Sequence, residues 1–427
     1  MNWADGYVTD VEYLYEYQPE FNPLRQRLMF LASGLAVPRP KFACELGFGQ
    51  GLSVNIHAAA SAVDWWGTDF SPTHAGFARQ LAELTGSEAR LFDQAFADFC
   101  ARPDLPDFDM IGLHGVWSWI SDENRRVIVD FIRRRLQSGG VLYIGYNTLP
   151  GWGALAPVQH LIKCHDRAMA AQGENAARRM DTALNFVEQL LSTDPLYLRA
   201  NPKIKENLKD IHARNPRYLA HEYLSFNWNP MHVADVARWL EPTRCSFACS
   251  ANYIADLDEL NLAAEQQELL RNIPDRILQE TVRDFAVNAR FRRDYWVKGA
   301  RRLSTFEQAE CLRAERVILG SIRASIPPAI AASRAKVDVS FYNPILDVLA
   351  DYRPRSLAEI EQALTRSGVA FTQIVQAVMI LAGAGFLQPV QDEQHRVRSP
   401  KPWAANASRL RPRRRAGQAR FRVRISS

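Results

Sequence analysis

The segment Glu45-Leu46-Gly47-Phe48-Gly49-Gln50-Gly51 joins a short apolar run, which starts at Phe42, to a helix-forming stretch from Leu52 to Val63. The same order of strand, tight turn and helix continues along the chain, with further strands predicted at residues 63–70, 89–92, 107–114 and 141–146. Strands that alternate with helices through short turns are typical of a mostly parallel sheet covered on both faces. The sequence therefore predicts an α/β fold.

The chain changes character after the fifth predicted strand. Residues 154–220 are charged, helix-forming sequence with no strand candidate, whereas strands are predicted again at 245–254 and 291–297, with helical sequence at 260–286 between them. We expect the late strands to join the first sheet, which makes the stretch before them a helical insertion. Two helices and a short strand pair are predicted within residues 336–391, an order that suits a winged helix.

These changes predict five segments along the chain. They are a core at residues 1–153, the helical insertion at 154–225, a segment that completes the sheet at 226–303, a winged-helix-like domain at 304–400 and a basic tail at 401–427.

Charge and composition limit the classes of function. The 427 residues carry a net charge of +5, but the tail from Lys401 onward contributes +9, which leaves residues 1–400 at −4. The predicted helix at 371–384 has no lysine or arginine, so the composition disfavours nucleic acid as a partner. The six cysteines are scattered and predict no metal site. With no apolar stretch of membrane-spanning length and no signal-like start, we expect a cytoplasmic protein.

The glycine turn is the strongest chemical feature. Glycines at 47, 49 and 51 let a ligand approach the backbone closely, and the next helix offers its amides. A dinucleotide fingerprint is Gly-x-Gly-x-x-Gly, whereas the spacing here is Gly-x-Gly-x-Gly. Glu45 suits the ammonium of a methionine-derived cofactor, and Asp69, at the end of the second strand, suits two ribose hydroxyls. We therefore favour such a cofactor over a dinucleotide.

Residues at the ends of the fourth and fifth strands are candidates for the reactive side of the site. His114 is either a base or a hydrogen-bonded structural residue, and Tyr146 and Asn147 are candidates to orient an acceptor. Trp117 and Trp119 form either an apolar slot or part of the core. The sequence leaves these alternatives open.

Four segments carry a resemblance to a known family. They are the glycine turn with Asp69, the run Leu113 to Ser121, the run Gly145 to Trp152, and the later stretches Tyr218 to Leu224 and Phe291 to Gly299. Together they resemble class I methyltransferases that carry a methyltransferase regulatory domain. The resemblance covers about Tyr7 to Gly299, and relatives include protein-lysine methyltransferases that act on outer-membrane proteins of intracellular bacteria.

The resemblance implies a Rossmann-like, seven-stranded core with S-adenosyl-L-methionine as cofactor. It assigns Glu45 and the three glycines, Gly47, Gly49 and Gly51, to the methionine portion, and Asp69 with Phe70 to the ribose and adenine. One tyrosine of the segment before the first strand, Tyr13 or Tyr17, is expected to contact the cofactor. Where many relatives have an acid after the third strand this chain has Gln94-Ala95-Phe96, so Phe96 is expected to stack or to offer its backbone amide, with Asp98 as a substitute acid.

Three functions remain as hypotheses. The leading one is N-methylation of lysine in a protein substrate, with His114, Trp117, Tyr146 and Asn147 around the acceptor and the carboxy-terminal module holding the substrate. The second is methylation of a small molecule in secondary metabolism. The third is a regulator that senses the cofactor without turnover.

Overall fold

A seven-stranded sheet forms the centre of the computed structural model, which describes residues 15–170, 173–212, 216–225, 227–331 and 336–391. Its strands are β1 (Phe42–Leu46), β2 (Asp64–Asp69), β3 (Arg90–Asp93), β4 (Phe108–His114), β5 (Leu136–Asn147), β6 (Cys245–Ser250) and β7 (Phe291–Lys298). The order is β3-β2-β1-β4-β5-β7-β6, with only β7 antiparallel to its neighbours. The predicted Rossmann-like class I core, completed by two late strands, is confirmed.

Helices cover both faces of this sheet. The helices of the amino-terminal half are α1 (Pro23–Ala32), α2 (Leu52–Ala60), α3 (Pro72–Thr85), α4 (Phe96–Cys100) and α5 (Asp122–Arg135). The face that carries Tyr143 packs against α1, α2 and α3, and we call it the first face. The second face carries Ile144 and packs against α4 and α5. Neighbouring residues of β5 therefore point into different cores.

The insertion after β5 is helical throughout its described part. It contains α6 (Ala156–Met169), α7 (Ala176–Ser192), α8 (Leu196–Ala200), α9 (Ile204–His212) and α10 (Pro216–Leu224). Their apolar sides form a third core that includes Trp152, Met180 and Tyr223. The insertion is thus a small bundle with its own buried centre.

The segment that returns to the sheet is less regular than predicted. It contains α11 (Val233–Leu240), α12 (Asp258–Asn261), α13 (Ala264–Arg271) and α14 (Arg276–Val287). The stretch predicted as helical from 260 to 286 is interrupted because Pro274 lacks an N–H and disfavours helical backbone before it. Asp275 then starts α14 by accepting a hydrogen bond from the Leu278 amide at 2.7 Å.

The carboxy-terminal region packs onto the first face. It contains α15 (Thr305–Ala314), α16 (Asn343–Val348), α17 (Leu357–Ala363) and α18 (Phe371–Gly383), with β8 (Arg316–Leu319), β9 (Ala329–Ala331), β10 (Lys336–Asp338), β11 (Arg355–Ser356) and β12 (Leu387–Pro389). Within the described residues, one strand and not the predicted pair follows α18, and β8 pairs with both β11 and β12. The buried Arg25 of α1 donates to the Ala382 carbonyl at 3.0 Å. One apolar core therefore joins this region to the sheet.

Among the described residues, no helix combines the length and the apolar character needed to cross a membrane. The predicted basic tail at 401–427 lies outside them.

Gly112 in β4 makes room for Phe21, a fully buried residue of the segment before α1. A Cβ atom on Gly112 would lie 2.0 Å from the Phe21 Cε1 atom. We expect Gly112→Ala to lower the free energy of unfolding by about 2 kcal/mol, because the ring must leave a packed site. Urea denaturation measures this. Gly76→Ala is the matched control, since its Cβ meets nothing within 4 Å and alanine favours the helix by about 1 kcal/mol. Equal midpoints for the two variants would contradict the prediction.

Candidate active site

The glycine turn connects β1 to α2 in a conformation that favours glycine at three positions. Gly47, Gly49 and Gly51 have φ values of 72°, 55° and 70°. A Cβ atom on Gly47 would lie 2.6 Å from Val116 Cγ2, and one on Gly51 would lie 2.4 Å from the Ala78 Cβ. Side chains are therefore excluded at both ends of the turn, by backbone conformation and by space. The turn leaves its backbone open to close approach.

Asp69 fixes the shape of this turn from the end of β2. One carboxylate oxygen accepts a hydrogen bond from the Gly49 amide at 2.8 Å, and the other accepts from the Ser71 amide at 2.9 Å. The His74 ring nitrogen lies 3.2 Å from the second oxygen. Each carboxylate oxygen has two lone pairs, so these three contacts leave one acceptor position, on the oxygen that binds the Gly49 amide. His74 was not among the predicted site residues, and its only signal in the sequence is its position in the first turn of α3.

Glu45 is the cofactor-side residue whose surroundings point most directly to a ligand. It lies near the end of β1, is 4% exposed, and its Oε2 atom has no hydrogen-bond partner among the described residues. Burial, with the nearby Asp69 carboxylate, raises the pKa of Glu45 well above its ordinary value. A positive group beside it would supply the missing partner and stabilise the ionised carboxylate. An ammonium group fits this requirement.

The remaining predicted cofactor residues lie around the same turn or outside the described ranges. Phe96, at the start of α4, has its Cζ atom 3.8 Å from the position of a Gly47 Cβ, so the ring lies beside the turn. Phe70 is half-buried immediately after Asp69. Tyr13 lies outside the described residues, whereas the Tyr17 ring packs 5.2 Å from the His57 ring. Asp98 is exposed on α4.

The segment before α1, which we call the leader (residues 15–22), packs against α2. Its Gln18 amide donates to the Ser53 hydroxyl at 2.7 Å, and His57 Nε2 donates to the Gln18 carbonyl at 3.0 Å. The His57 ring is stacked on Trp65 at a centroid distance of 5.4 Å. The leader is therefore tied to the helix that begins at the glycine turn.

His57 should make the stability of this region depend on pH. Burial lowers the pKa of His57 from 6.5 to about 4, so between these values the unfolded chain binds a proton that the folded chain does not. This contribution to stability is present above pH 6.5 and falls by up to about 3 kcal/mol as pH drops to 4. We expect His57→Gln, which keeps an N–H donor, to lose this part of the slope in urea denaturation at pH 7, 5.5 and 4. Parallel stability curves for the two proteins would refute this assignment.

His114 ends β4 on the first face and is held between aromatic rings. Its Nδ1 atom lies 2.6 Å from the Tyr143 hydroxyl, and its ring lies 5.4 Å from the Phe291 ring. Burial, with the Arg293 charge, lowers the pKa of His114 to about 3. A group with this pKa is neutral near pH 7 and accepts protons poorly. The geometry favours a hydrogen-bonding role over the base role.

The other predicted acceptor residues divide between the two faces. Tyr146 lies on the second face, fully buried, and its hydroxyl donates to Asp294 at 2.9 Å. Trp117 is also fully buried in the core of that face. The structure therefore does not bring either residue to His114, because the sheet separates them. Asn147 lies on the His114 side of β5, and its backbone amide donates to the Ser118 hydroxyl at 2.9 Å.

Trp119 and not Trp117 contacts the region of the insertion. Its ring lies 6.3 Å from Trp228, which in turn lies 5.1 Å from Trp152. The Asn229 amide donates to the Ser118 carbonyl at 2.8 Å and fixes the returning chain against this turn. These three tryptophans form an aromatic group next to the ends of β4 and β5.

Comparison with known proteins identifies the family of the chain. The fold is similar to that of PKMT2 from Rickettsia typhi, solved in complex with AdoHcy, with a TM-score of 0.65 and 18% identity over 89% of this chain and 77% of that one. Residues 215–298 match the family described as "Predicted methyltransferase regulatory domain". An uncharacterized protein of Synechocystis is 34% identical over 94% of this chain and 80% of its own length. The chain belongs to the class I S-adenosylmethionine-dependent methyltransferases with a regulatory domain.

A further relative of this methyltransferase covers less of the chain. An uncharacterized protein of Rickettsia prowazekii is 27% identical over 201 residues, which are 45% of this chain and 76% of that protein.

The regulatory segment of the methyltransferase contributes residues that the sequence analysis did not assign to the site. The family match ends at residue 298, so it includes β7 with Phe291 and Arg293. Phe291 packs on His114, and Arg293 Nε lies 3.2 Å from a carboxylate oxygen of Glu20 in the leader. Nothing in the local sequence pairs residues 20, 114 and 293. They meet because β5 pairs with both β4 and β7, and because the leader lies against Arg293.

Proposed function

We propose that this methyltransferase binds S-adenosylmethionine at the glycine turn and methylates lysine side chains of a protein. The observation that carries the proposal is a buried Glu45 oxygen, which has no hydrogen-bond partner in the part of the chain that the structure describes, next to three glycines in the left-handed conformation. It supports an ammonium-bearing ligand that approaches the backbone closely. The AdoHcy complex of the similar R. typhi protein supports the same cofactor here.

The chain's own residues would hold the two ends of this ligand separately. Glu45, with the turn from Gly47 through Gly49 to Gly51, would bind the methionine portion, and the remaining acceptor position of Asp69 would take a ribose hydroxyl. Phe96, which lies beside the turn, and Phe70, which follows Asp69, would enclose the adenine. Bound S-adenosylmethionine would supply an electrophilic methyl group on a sulfonium. The lone pair of an amine would attack the methyl carbon in line with the carbon–sulfur bond, and sulfur would leave.

The acceptor would lie at the ends of β4 and β5 on the first face, and we call this place the acceptor edge. A lysine nitrogen reacts as the neutral amine, so the residues around it must favour that form and direct its lone pair. His114 stays neutral, as its lowered pKa implies, and its ring lies against Phe291, the residue of β7 that is paired with Asn147. The nitrogen forms its bond to the methyl carbon as the carbon–sulfur bond breaks, and an N–H proton then leaves to water.

Charge supports a cationic substrate. Residues 1–400 carry a net charge of −4, and the leader places the carboxylates of Glu16 and Glu20 near the acceptor edge. Apart from the basic tail, which brings the whole chain to +5, these residues complement a lysine-rich partner in net charge, and such complementarity speeds encounter. The protein-lysine assignment rests on this complementarity together with the family resemblance.

The test is transfer from methyl-tritiated S-adenosylmethionine to poly-L-lysine, with poly-L-arginine as a control of equal charge. We expect label in poly-L-lysine only, with methyllysine identified by mass spectrometry after hydrolysis. Calorimetric binding of S-adenosylhomocysteine in the same preparation establishes that the cofactor site is intact. Binding without label in poly-L-lysine would overturn the lysine assignment. Label in a small phenol or thiol in its place would favour small-molecule methylation.

A further inference from the structure

Strand β7 forms one wall of the proposed acceptor edge. Gly145 of β5 is paired with His114 on one side and with Arg293 on the other, and Asn147 is paired with Phe291. A Cβ atom on Gly145 would lie 2.9 Å from His114 Nδ1 and 3.3 Å from the Phe291 ring. The absence of a side chain at Gly145 therefore lets residues of β4 and β7 meet over β5.

Arg293 brings a positive charge to this meeting point. Its guanidinium lies 5.2 Å from the Phe291 ring centre, and its side chain is 28% exposed. Burial is the larger cause of the lowered pKa of His114 and the Arg293 charge is the second, so the guanidinium also acts on groups at the acceptor edge. Any second cation placed there meets the same repulsion.

Glu20 opposes this charge from the leader. Its carboxylate is 3.2 Å from Arg293 Nε, and its backbone carbonyl accepts the Tyr295 hydroxyl at 2.6 Å. Its second carboxylate oxygen is buried without a hydrogen-bond partner among the described residues. The ionisable groups around this position are Glu16, Tyr17 and Glu20 from the leader, Arg25 from α1, Glu45 from β1, His114 from β4, Tyr143 from β5, and Arg293, Asp294 and Tyr295 from β7.

We propose that Arg293 is a specificity-determining residue of the regulatory segment, and that its guanidinium disfavours a protonated amine at the acceptor position. Glu20 partly neutralises that charge, so Arg293 and Glu20 together set the fraction of the bound amine that is neutral and able to react. The inference rests on the proposed amine acceptor. It gives the regulatory domain of this methyltransferase a direct part in the acceptor site.

The pH dependence of kcat separates this role from a structural one. At saturating poly-L-lysine and S-adenosylmethionine, the acid limb of kcat reports the ionisation of bound groups. Arg293→Gln should move this limb about one pH unit higher, because the ammonium form gains stability, and should lower kcat near pH 7 about tenfold. Glu20→Gln should move it in the opposite direction. Arg293→Lys, which retains the charge, should leave its position unchanged.

Opposite shifts from Arg293→Gln and Glu20→Gln would support the inference, because loss of packing moves no limb in two directions. If both variants bind S-adenosylhomocysteine normally and their limbs coincide with that of the unsubstituted chain, the inference is wrong while lysine methylation stands. If Arg293→Gln does not fold, the Glu20→Gln shift decides alone. Absence of transfer by the unsubstituted chain would overturn the amine acceptor itself, and the inference with it.

Discussion

An Asp69→Ala variant is expected to bind S-adenosylhomocysteine at least about 100-fold more weakly than the unsubstituted chain. The variant would lose a charge-assisted hydrogen bond to ribose, which contributes up to about 3 kcal/mol. It would also release the Gly49 and Ser71 amides that it now orders. Isothermal titration calorimetry measures the loss, with NAD as a second ligand to test the dinucleotide alternative. Unchanged affinity would place the cofactor elsewhere.

Asp64→Ala is the matched control for this experiment. Asp64 begins the same strand that Asp69 ends, but its side chain is exposed at the opposite edge of the sheet. It has the same charge and the same substitution without contact to the glycine turn. We expect its affinity for S-adenosylhomocysteine to stay within about twofold of the unsubstituted value. An equal loss in both variants would indicate a general effect of charge and not a ribose site.

Arg292→Gln should produce the largest loss of stability. The guanidinium of Arg292 lies on the second face within 2.7 to 2.9 Å of three buried carboxylates. They belong to Glu280 and Asp284 of α14 and to Asp294 of β7. Removing one partner of a buried ion pair leaves charge without compensation, and we expect the free energy of unfolding to fall by about 4 kcal/mol. Urea denaturation at pH 7 measures this change.

A surface arginine provides the comparison for Arg292. Arg133 pairs with Asp130 at 2.8 Å on the exposed side of α5, with both side chains about half exposed. Solvent screens such pairs, so Arg133→Gln should leave the urea midpoint nearly unchanged. A similar midpoint for Arg292→Gln would show that water compensates the three carboxylates. The network would then contribute little to the docking of α14.

The cofactor half of the site was predictable because its residues follow a rule of parallel sheets. Strands β1 and β2 end at the same edge, so Glu45, the glycine turn and Asp69 must converge there. The turn chemistry adds a local signal, since three alternating glycines are otherwise unnecessary. A strong local pattern and a fixed topology together determined this half.

The acceptor half was less predictable because it depends on side-chain direction. Tyr146 and Asn147 are neighbours in the sequence, but alternation along β5 sends Tyr146 to Asp294 and leaves Asn147 on the His114 side. The apolar residues of β5 do not reveal which face is which, because both faces are buried. Phe291 and Arg293 were missed because they reach His114 only through pairing across about 150 residues of intervening chain.

The antiparallel β7 also constrains how the protein is made. When residue 153 has left the ribosome, five strands exist and the twelve-residue β5 has one side without a partner. Its partner strand β7 is complete only after residue 298 has been synthesised. The unpaired edge of β5 is therefore exposed for a long interval, during which chaperones can protect it. An expression fragment that stops before β7 would keep an unpaired, aggregation-prone edge along β5, its longest strand. Attempts to isolate a minimal enzyme should therefore retain the chain through Lys298.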